Sequence, residues 1–199
     1  MRVYFFRHGQ TEGNRDRKIQ GHSTVKLSEK GIEQAERLKK SIEGIKFDRK
    51  IASDLYRTRQ TAAIVFGENA VEYDERVREL NNTPLAGRSI DELTELYGEH
   101  FIYALYKLDY SYFGCESAES LVARAKSFLD DLALDTESEN VAVVTHGGFI
   151  HAVLANVLEY GADKIDMRRL YIGNCTANIF EYADGKWKLI RLNNKYEMD

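Results

Sequence analysis

Two histidines occupy the same local setting. His8 ends the run Arg2-Val3-Tyr4-Phe5-Phe6-Arg7-His8-Gly9, and His146 ends Asn140-Val141-Ala142-Val143-Val144-Thr145-His146-Gly147-Gly148. In each, an apolar stretch of strand type stops at a histidine and a glycine follows. Histidine is a nucleophile or a proton carrier near neutral pH. The guanidinium of Arg7 is a planar fork of donors suited to phosphate, and Gly9 lets the backbone approach a ligand closely. A histidine after a strand, taken alone, is more often a hydrogen-bonded turn residue. The repetition changes that reading. Two buried strands deliver two histidines to the carboxyl edge of one parallel sheet, where ligands sit in open α/β folds. Arg57 adds a cation in the first turn of a predicted helix, where it opposes the helix dipole and fits a residue meeting an anion. Arg59 reads as a solvated surface arginine. His146 and His151, five apart, do not share a helix face as a spacing of four would. His22 and His100 stand without partners, so no matched metal-ligand set is expected.

The elements that must position these residues follow from pattern. Val3 to Phe6 predicts a strand, and Gln10 to Asn14 a turn or helical start. Ser28 caps a helix running to about Gly44, with Ile32, Ala35, Leu38 and Ile42 along one face. Residues 48–52 predict a second strand. Ser53 or Asp54 would cap the helix carrying Arg57, with Ala62, Val65 and Phe66 turned to the core. Residues 71–73 predict a third strand. Residues 81–114 hold the single proline, Pro84, and many tyrosines and phenylalanines. They read as helices capping the sheet edge, their aromatics mostly core and one or two lining a pocket. Ser117 caps a helix from Ala118 to Leu134 with Leu121, Ala125, Phe128, Leu129 and Leu132 on its apolar face. The 141–144 strand leads to a helix over about 149–159. A hairpin turning at Asp184-Gly185 closes the chain.

Composition narrows the class. The 199 residues are 43% hydrophobic and 30% charged, a globular balance, and the net charge is -4. An acidic chain argues against nucleic acid as partner but not against an anionic substrate met by local arginines. No apolar run is long enough to span a bilayer. The N-terminus runs straight into a strand with no visible signal peptide. Cys115 and Cys175, far apart, read as reduced thiols of a cytoplasmic protein.

The ordered set of motifs resembles the histidine phosphatase superfamily, in its phosphoglycerate mutase-like branch. The set is Arg7-His8-Gly9 after a first strand, Leu27-Ser28-Glu29-x-Gly31-x-x-Gln34-Ala35, Ser53-x-Leu55-x-Arg57-x-x-Gln60-Thr61-Ala62, Val77-Arg78-Glu79, Gly114-Cys115-Glu116-Ser117 with Arg124, and Thr145-His146-Gly147-Gly148. The resemblance implies an α/β fold, a three-layer α/β/α sandwich with a mostly parallel central sheet and a helical cap. It implies one domain over residues 1–199, with the cap inserted at about 81–116. It further implies a phosphomonoester hydrolase working through phosphohistidine on a small phosphorylated metabolite. His8 would attack phosphorus. Arg7, Arg57 and His146, with Asn14, would hold the phosphoryl oxygens, helped by Gln20 and by the backbone at Gly21 and Gly147. Glu79 would protonate the leaving oxygen and then take a proton from water. No metal or other cofactor is implied, and the expected partner is the small substrate alone, with no nucleic acid or membrane; a homodimer stays open.

One segment departs from the family pattern. Family mutases carry a basic residue directly after the acidic Glu and a Tyr-Gly pair shortly after, whereas this chain has Leu80-Asn81-Asn82-Thr83; family phosphatases often carry Trp-Glu just before a glycine, whereas this chain has Leu85-Ala86 before Gly87. Residues 80–86 contain no charged side chain, and the aromatic cap suits a bulkier or partly apolar leaving group. The alternatives kept are a phosphoglycerate mutase-type transferase and a phosphate-binding module that has lost catalysis. The complete set Arg7, His8, Arg57, Glu79 and His146 argues against the second. Sugar phosphate, α-ribazole phosphate and phosphoglycerate stay open as substrates.

Overall fold

A computed structural model describes residues 1–67 and 69–194. Its strands are β1 (Arg2–Arg7), β2 (Arg49–Ala52), β3 (Glu72–Tyr73), β4 (Asn140–Thr145), β5 (Ala177–Ala183) and β6 (Lys186–Asn194). They form one sheet in the order β3-β2-β4-β1-β5-β6. β1, β2, β3 and β4 are parallel, while β5 runs antiparallel to both of its neighbours. β1 and β4 pair side by side although most of the chain separates them, with Arg7 opposite Thr145. That adjacency creates a crevice at the carboxyl ends of the strands.

After β1 comes the short α1 (Glu12–Arg15), and longer helices cover both faces of the sheet because the strands alternate. Val3, Phe5, Val141, Val143 and Phe180 point to one side, where they pack with residues of α6 (Ala118–Ala133) and α7 (Gly147–Val157). Phe5 meets Phe180 edge-on at 5.5 Å and Phe128 at 6.3 Å between ring centroids. Burying one such ring contributes about 1.5–3 kcal/mol. Tyr4, Phe6 and Ala142 point to the other side, against Ala35 and Leu38 of α2 (Glu29–Ser41) and Val65 of α3 (Tyr56–Phe66). The result is the three-layer α/β/α arrangement. Asp184 and Gly185 turn the β5–β6 hairpin with φ of 54° and 74°, a two-residue turn with both residues left-handed.

Four local expectations need correction. Ile32 is 44% exposed, so it is not on the buried face of α2. The contact there is made by Gly31, whose Cα lies against the Gln10 carbonyl, where a side chain would overlap backbone. A Cβ on Gly9 would in turn sit 2.5 Å from the Gly31 oxygen, so the two glycines bring the loop after β1 against the start of α2. α2 stops at Ser41, before Gly44. α3 starts at Tyr56 with Leu55 in the N-cap position and no side-chain cap. Asp54 is instead held by Arg78, at 2.6 and 2.5 Å, and Ser53 turns toward His146. α7 begins at Gly147, two residues earlier than its pattern suggested, because the polar His146 can occupy the extended N-cap position.

The segment after Glu79 contains two 3-10 turns, Thr83–Leu85 and Ser111–Phe113, around α4 (Ile90–Tyr97) and α5 (Glu99–Lys107). Its ends meet: Glu116 N donates to Asn81 O at 3.0 Å, and Asn81 N donates to the Glu116 carboxylate at 2.8 Å. Phe101 and Tyr110 are buried, whereas Tyr103 and Tyr112 are exposed. Among the described residues, no helix is long and apolar enough to cross a membrane.

Candidate active site

Eight of the nine site residues expected from sequence line one cavity of about 180 Å³: Arg7, His8, Asn14, Gln20, Gly21, Arg57, Glu79 and Gly147. His146 is buried beside them, its ring centroid 5.2 Å from that of His8. The register of β1 and β4 explains this. Each histidine directly follows the last paired residue of its strand, and the strands are neighbours.

The backbone at His8 is held from three directions. Its N–H donates to Thr145 O at 2.9 Å, its carbonyl accepts from Asn174 Nδ2 at 2.8 Å, and the next N–H, of Gly9, donates to Thr61 Oγ1 at 3.1 Å. Its Nδ1 lies 2.7 Å from the Gly9 carbonyl. A carbonyl only accepts, so Nδ1 carries the hydrogen and Nε2 keeps its lone pair. Burial, reinforced by the charges of Arg57 and then Arg7, pushes the pKa of His8 well below the ordinary histidine value. The ring is neutral at pH 7, as a nitrogen nucleophile must be.

His146 Nε2 lies 2.9 Å from Ser53 Oγ, which also accepts the Leu55 N–H at 3.3 Å. Its Nδ1 is buried and has no hydrogen-bond partner among the described residues. Burial, then Arg57, hold its pKa well below the ordinary value as well.

Arg57 is 1% exposed. Its Nη2 donates to Gly21 O at 2.9 Å, while Nε and Nη1 have no partner among the described residues. Burial pulls its pKa down to about 10, partly offset by Glu79, so it remains a cation at pH 7. A buried cation with unsatisfied donors costs several kcal/mol unless an anion joins it. Arg7 is anchored by Nη1 to Ile172 O at 2.5 Å, and its buried Nε likewise lacks a partner among the described residues. α7 starts at Gly147 beside these groups, and the N-terminus of a helix favours an anion. Two guanidinium groups, an imidazole and a helix end therefore converge on a site for a dianion.

Glu79 faces them across the cavity. Its carboxylate accepts from Leu80 N at 2.9 Å and from Gly148 N at 3.2 Å. A Cβ on Gly148 would overlap the Glu79 carboxylate, so a glycine at the start of α7 makes this approach possible. The remaining expected residues are tied into the loop around them. Asn14 Oδ1 accepts from Thr11 N at 3.2 Å and Gln20 Oε1 accepts from Thr11 Oγ1 at 2.8 Å, so each amide keeps its NH₂ for a ligand. The Gly21 carbonyl holds Arg57.

Several positioning residues went unassigned in the sequence. Thr61 Oγ1 donates to Arg57 O at 2.8 Å while accepting from Gly9, linking the arginine helix to the histidine loop. Ser53 contacts His146 rather than capping a helix. Arg124, paired with Glu116 at 3.0 Å, donates to the carbonyls of Arg76 at 2.6 Å and Arg78 at 2.8 Å and so fixes the segment presenting Glu79. Thr61, Ser53, Glu116 and Arg124 all stand within the recurring motifs; Asn174 carried no local signal. Among the described residues, no group of three or more His, Cys, Asp or Glu side chains is placed to hold a metal ion.

Comparison with known proteins agrees with this geometry. The sequence is 32% identical over 190 residues to a probable phosphoglycerate mutase, GpmB, of Enterobacter sp. (strain 638), covering 94% of this chain and 87% of the relative. The fold matches YhfR of Bacillus stearothermophilus with a TM-score of 0.85 at 27% identity, covering 94% of both chains. It matches a phosphoserine phosphatase mutant of Entamoeba histolytica, solved with phosphoserine, with a TM-score of 0.82 at 26% identity, covering 99% of both. The model of the histidine phosphatase superfamily (branch 1) matches residues 3–195, and the chain belongs to that superfamily.

Proposed function

We propose that this protein is a phosphomonoester hydrolase that transfers the phosphoryl group of a small metabolite to His8 and then to water. The observation that carries the reading is the convergence, on one cavity, of the His8 Nε2 lone pair, the unsatisfied Arg57 guanidinium and the Glu79 carboxyl group. In the first step Nε2 forms the N–P bond as the P–O bond to the alcohol breaks, and Glu79 delivers a proton to the departing oxygen. In the second, a water oxygen bonds to phosphorus, the N–P bond breaks, and the water proton passes to Glu79. Arg7, Arg57 and Nδ1–H of His146, with the amides of Asn14 and Gln20 and the N–H of Gly147, hold the phosphoryl oxygens throughout. Such fixed donors supply most of the stabilisation in phosphoryl transfer. Ser53, bound to the Leu55 N–H, donates its own hydrogen to His146 Nε2 and so sets that tautomer. We read residues 1–199 as one domain with its cap at about 81–116, working in the cytoplasm.

The mutase alternative shares the phosphoenzyme and matches the name of the curated relative. A mutase must also grip a carboxylated phosphate so that the acceptor hydroxyl excludes water. The residues of the cap side that line the cavity are Leu80, Asn82, Leu105, Leu108 and Tyr110, without a cation. That composition supports hydrolysis. Assaying inorganic phosphate release and 2-/3-phosphoglycerate interconversion on one preparation, primed with 2,3-bisphosphoglycerate, tests it. Phosphate release from phosphomonoesters should be the faster process; isomerisation outpacing it would make the protein a mutase.

A further inference from the structure

The cavity holds two charge systems, and they balance separately. Arg7 and Arg57 together match a phosphoryl dianion. The charges left on its lining are Lys18, which is exposed at the rim, and Glu79. An exposed lysine is screened by solvent and salt, and Glu79, a proton donor in the first step and a proton acceptor in the second, offers a second anion no positive charge. The wall beyond the phosphate is apolar: Ile19, Leu80 and Leu108 are buried, and Leu105 and Met167 are half-buried. The loop carrying Met167 is fastened to α5 by Met167 N donating to Tyr106 O at 2.9 Å, so this wall is built rather than loose.

One polar group interrupts the wall. Asn82 is 8% exposed, it lines the cavity, and its Oδ1 has no hydrogen-bond partner among the described residues. The Tyr110 phenol adjoins it, and burial pushes that phenol up, so it remains neutral. A Cβ on Gly21 would lie 2.9 Å from Asn82 Oδ1, and the Gly21 carbonyl binds Arg57. The orphaned acceptor therefore sits close to the phosphate end. A buried acceptor left unpaired costs about 1–3 kcal/mol, and a substrate donor at that point removes the cost.

We propose that the alcohol half of the substrate is uncharged and largely apolar, and carries a hydroxyl near the ester linkage that donates to Asn82 Oδ1. The proposal rests on the phosphatase reading and names the substrate class of that same site. Asn82 and Leu105 act as specificity residues in it.

Three phosphates that differ by one group test it: 2-phenylethyl phosphate, its 2-hydroxy analogue, and its ring 4-carboxylate. The hydroxy compound should exceed the parent in kcat/KM by about tenfold, and the parent should exceed the carboxylate by at least about tenfold, the scale of one buried hydrogen bond or one misplaced charge. In Asn82→Leu the hydroxy-to-parent ratio should fall to about one, since the site loses its acceptor. In Leu105→Arg the carboxylate-to-parent ratio should rise about tenfold or more, because a cation then lines the apolar wall. These are ratios within one variant, so partial unfolding does not produce them. Turnover of all three with the carboxylate fastest, or with ratios unmoved in the variants, would overturn this proposal and leave the phosphatase reading intact. No phosphate release from these three or from p-nitrophenyl phosphate would overturn both.

Discussion

At the floor of the cavity, each charged or nucleophilic side chain comes from a strand end or a first helical turn and is fixed by backbone. His8 bonds to Gly9, Arg57 to Gly21, and Arg7 to Ile172. At the mouth, the lining comes from the cap side, from Lys18 and Ile19 and from the loop carrying Met167, and it is mostly aliphatic. On the proposed function the floor meets one invariant chemical group, the phosphoryl dianion. The mouth meets the part of the substrate that varies. Changes at the floor should therefore slow every substrate alike, while changes at the mouth should reorder substrates. Glu79 lies at the boundary and should do some of each.

The largest effect expected at the floor is that of Arg57→Ala. It removes a buried cation that every phosphomonoester meets, so turnover of p-nitrophenyl phosphate and of an alkyl phosphate should both fall by about 10²–10³-fold, the cost of losing one preorganised donor to a charged transition state. A loss confined to one of the two would break the distinction between floor and mouth.

Glu79→Gln should separate the two substrates. Its amide cannot protonate the leaving oxygen, so alkyl phosphates should slow by about 10²–10³-fold. The p-nitrophenolate ion departs without a proton, and its release should fall less than about tenfold. Gly148→Ala should give a weaker copy of this pattern, because its methyl group displaces the same carboxylate. Equal losses on both substrates would assign Glu79 to binding or structure.

The smallest effect concerns pH. Burial holds the pKa values of His8, His146 and His151 below the ordinary 6.5, that of His151 at about 4. Below 6.5 the unfolded chain binds protons that the folded chain refuses, so stability is complete above that pH and falls as pH drops through it. The loss through His151 continues down to about 4. Carboxylates with depressed values, such as Asp135 at about 2, add losses only below about their unfolded value of 3.8. The Tm should thus decline steadily between pH 6.5 and 4, and less steeply in His151→Phe. A Tm that stays level over that window would mean the buried rings take up protons.

The floor was legible in the sequence because its design is local. A strand, a histidine and a glycine are adjacent residues, and their repetition at His8 and His146 predicted one shared edge. The three-layer sandwich came with the family resemblance that the ordered motifs carry, and the hairpin followed from Asp184-Gly185. What escaped depended on contacts between distant parts of the chain. Ser53 and Asp54 look like helix caps until Arg78 and His146 arrive to claim them. Ile32 has the right spacing for a core residue, yet the close backbone contact at this end of α2 is made by Gly31, and Ile32 is 44% exposed. The mouth was legible only as composition: the aromatic richness of residues 81–114 was visible, but which residues face the cavity was not. Of the cap tyrosines and phenylalanines, Tyr110 lines it, and the aliphatic Leu105 and Leu108 supply more of the wall.

The central claim is that a nitrogen of His8 carries the phosphoryl group during turnover. It is tested most directly by mixing enzyme with p-nitrophenyl phosphate for milliseconds, quenching in base, and locating added phosphate by mass spectrometry of the peptides. The account predicts one phosphate on His8, stable in alkali, lost in acid, and absent from His8→Ala. Phosphate found on a serine or threonine, or full turnover with no phosphoenzyme and normal activity in His8→Ala, would contradict it.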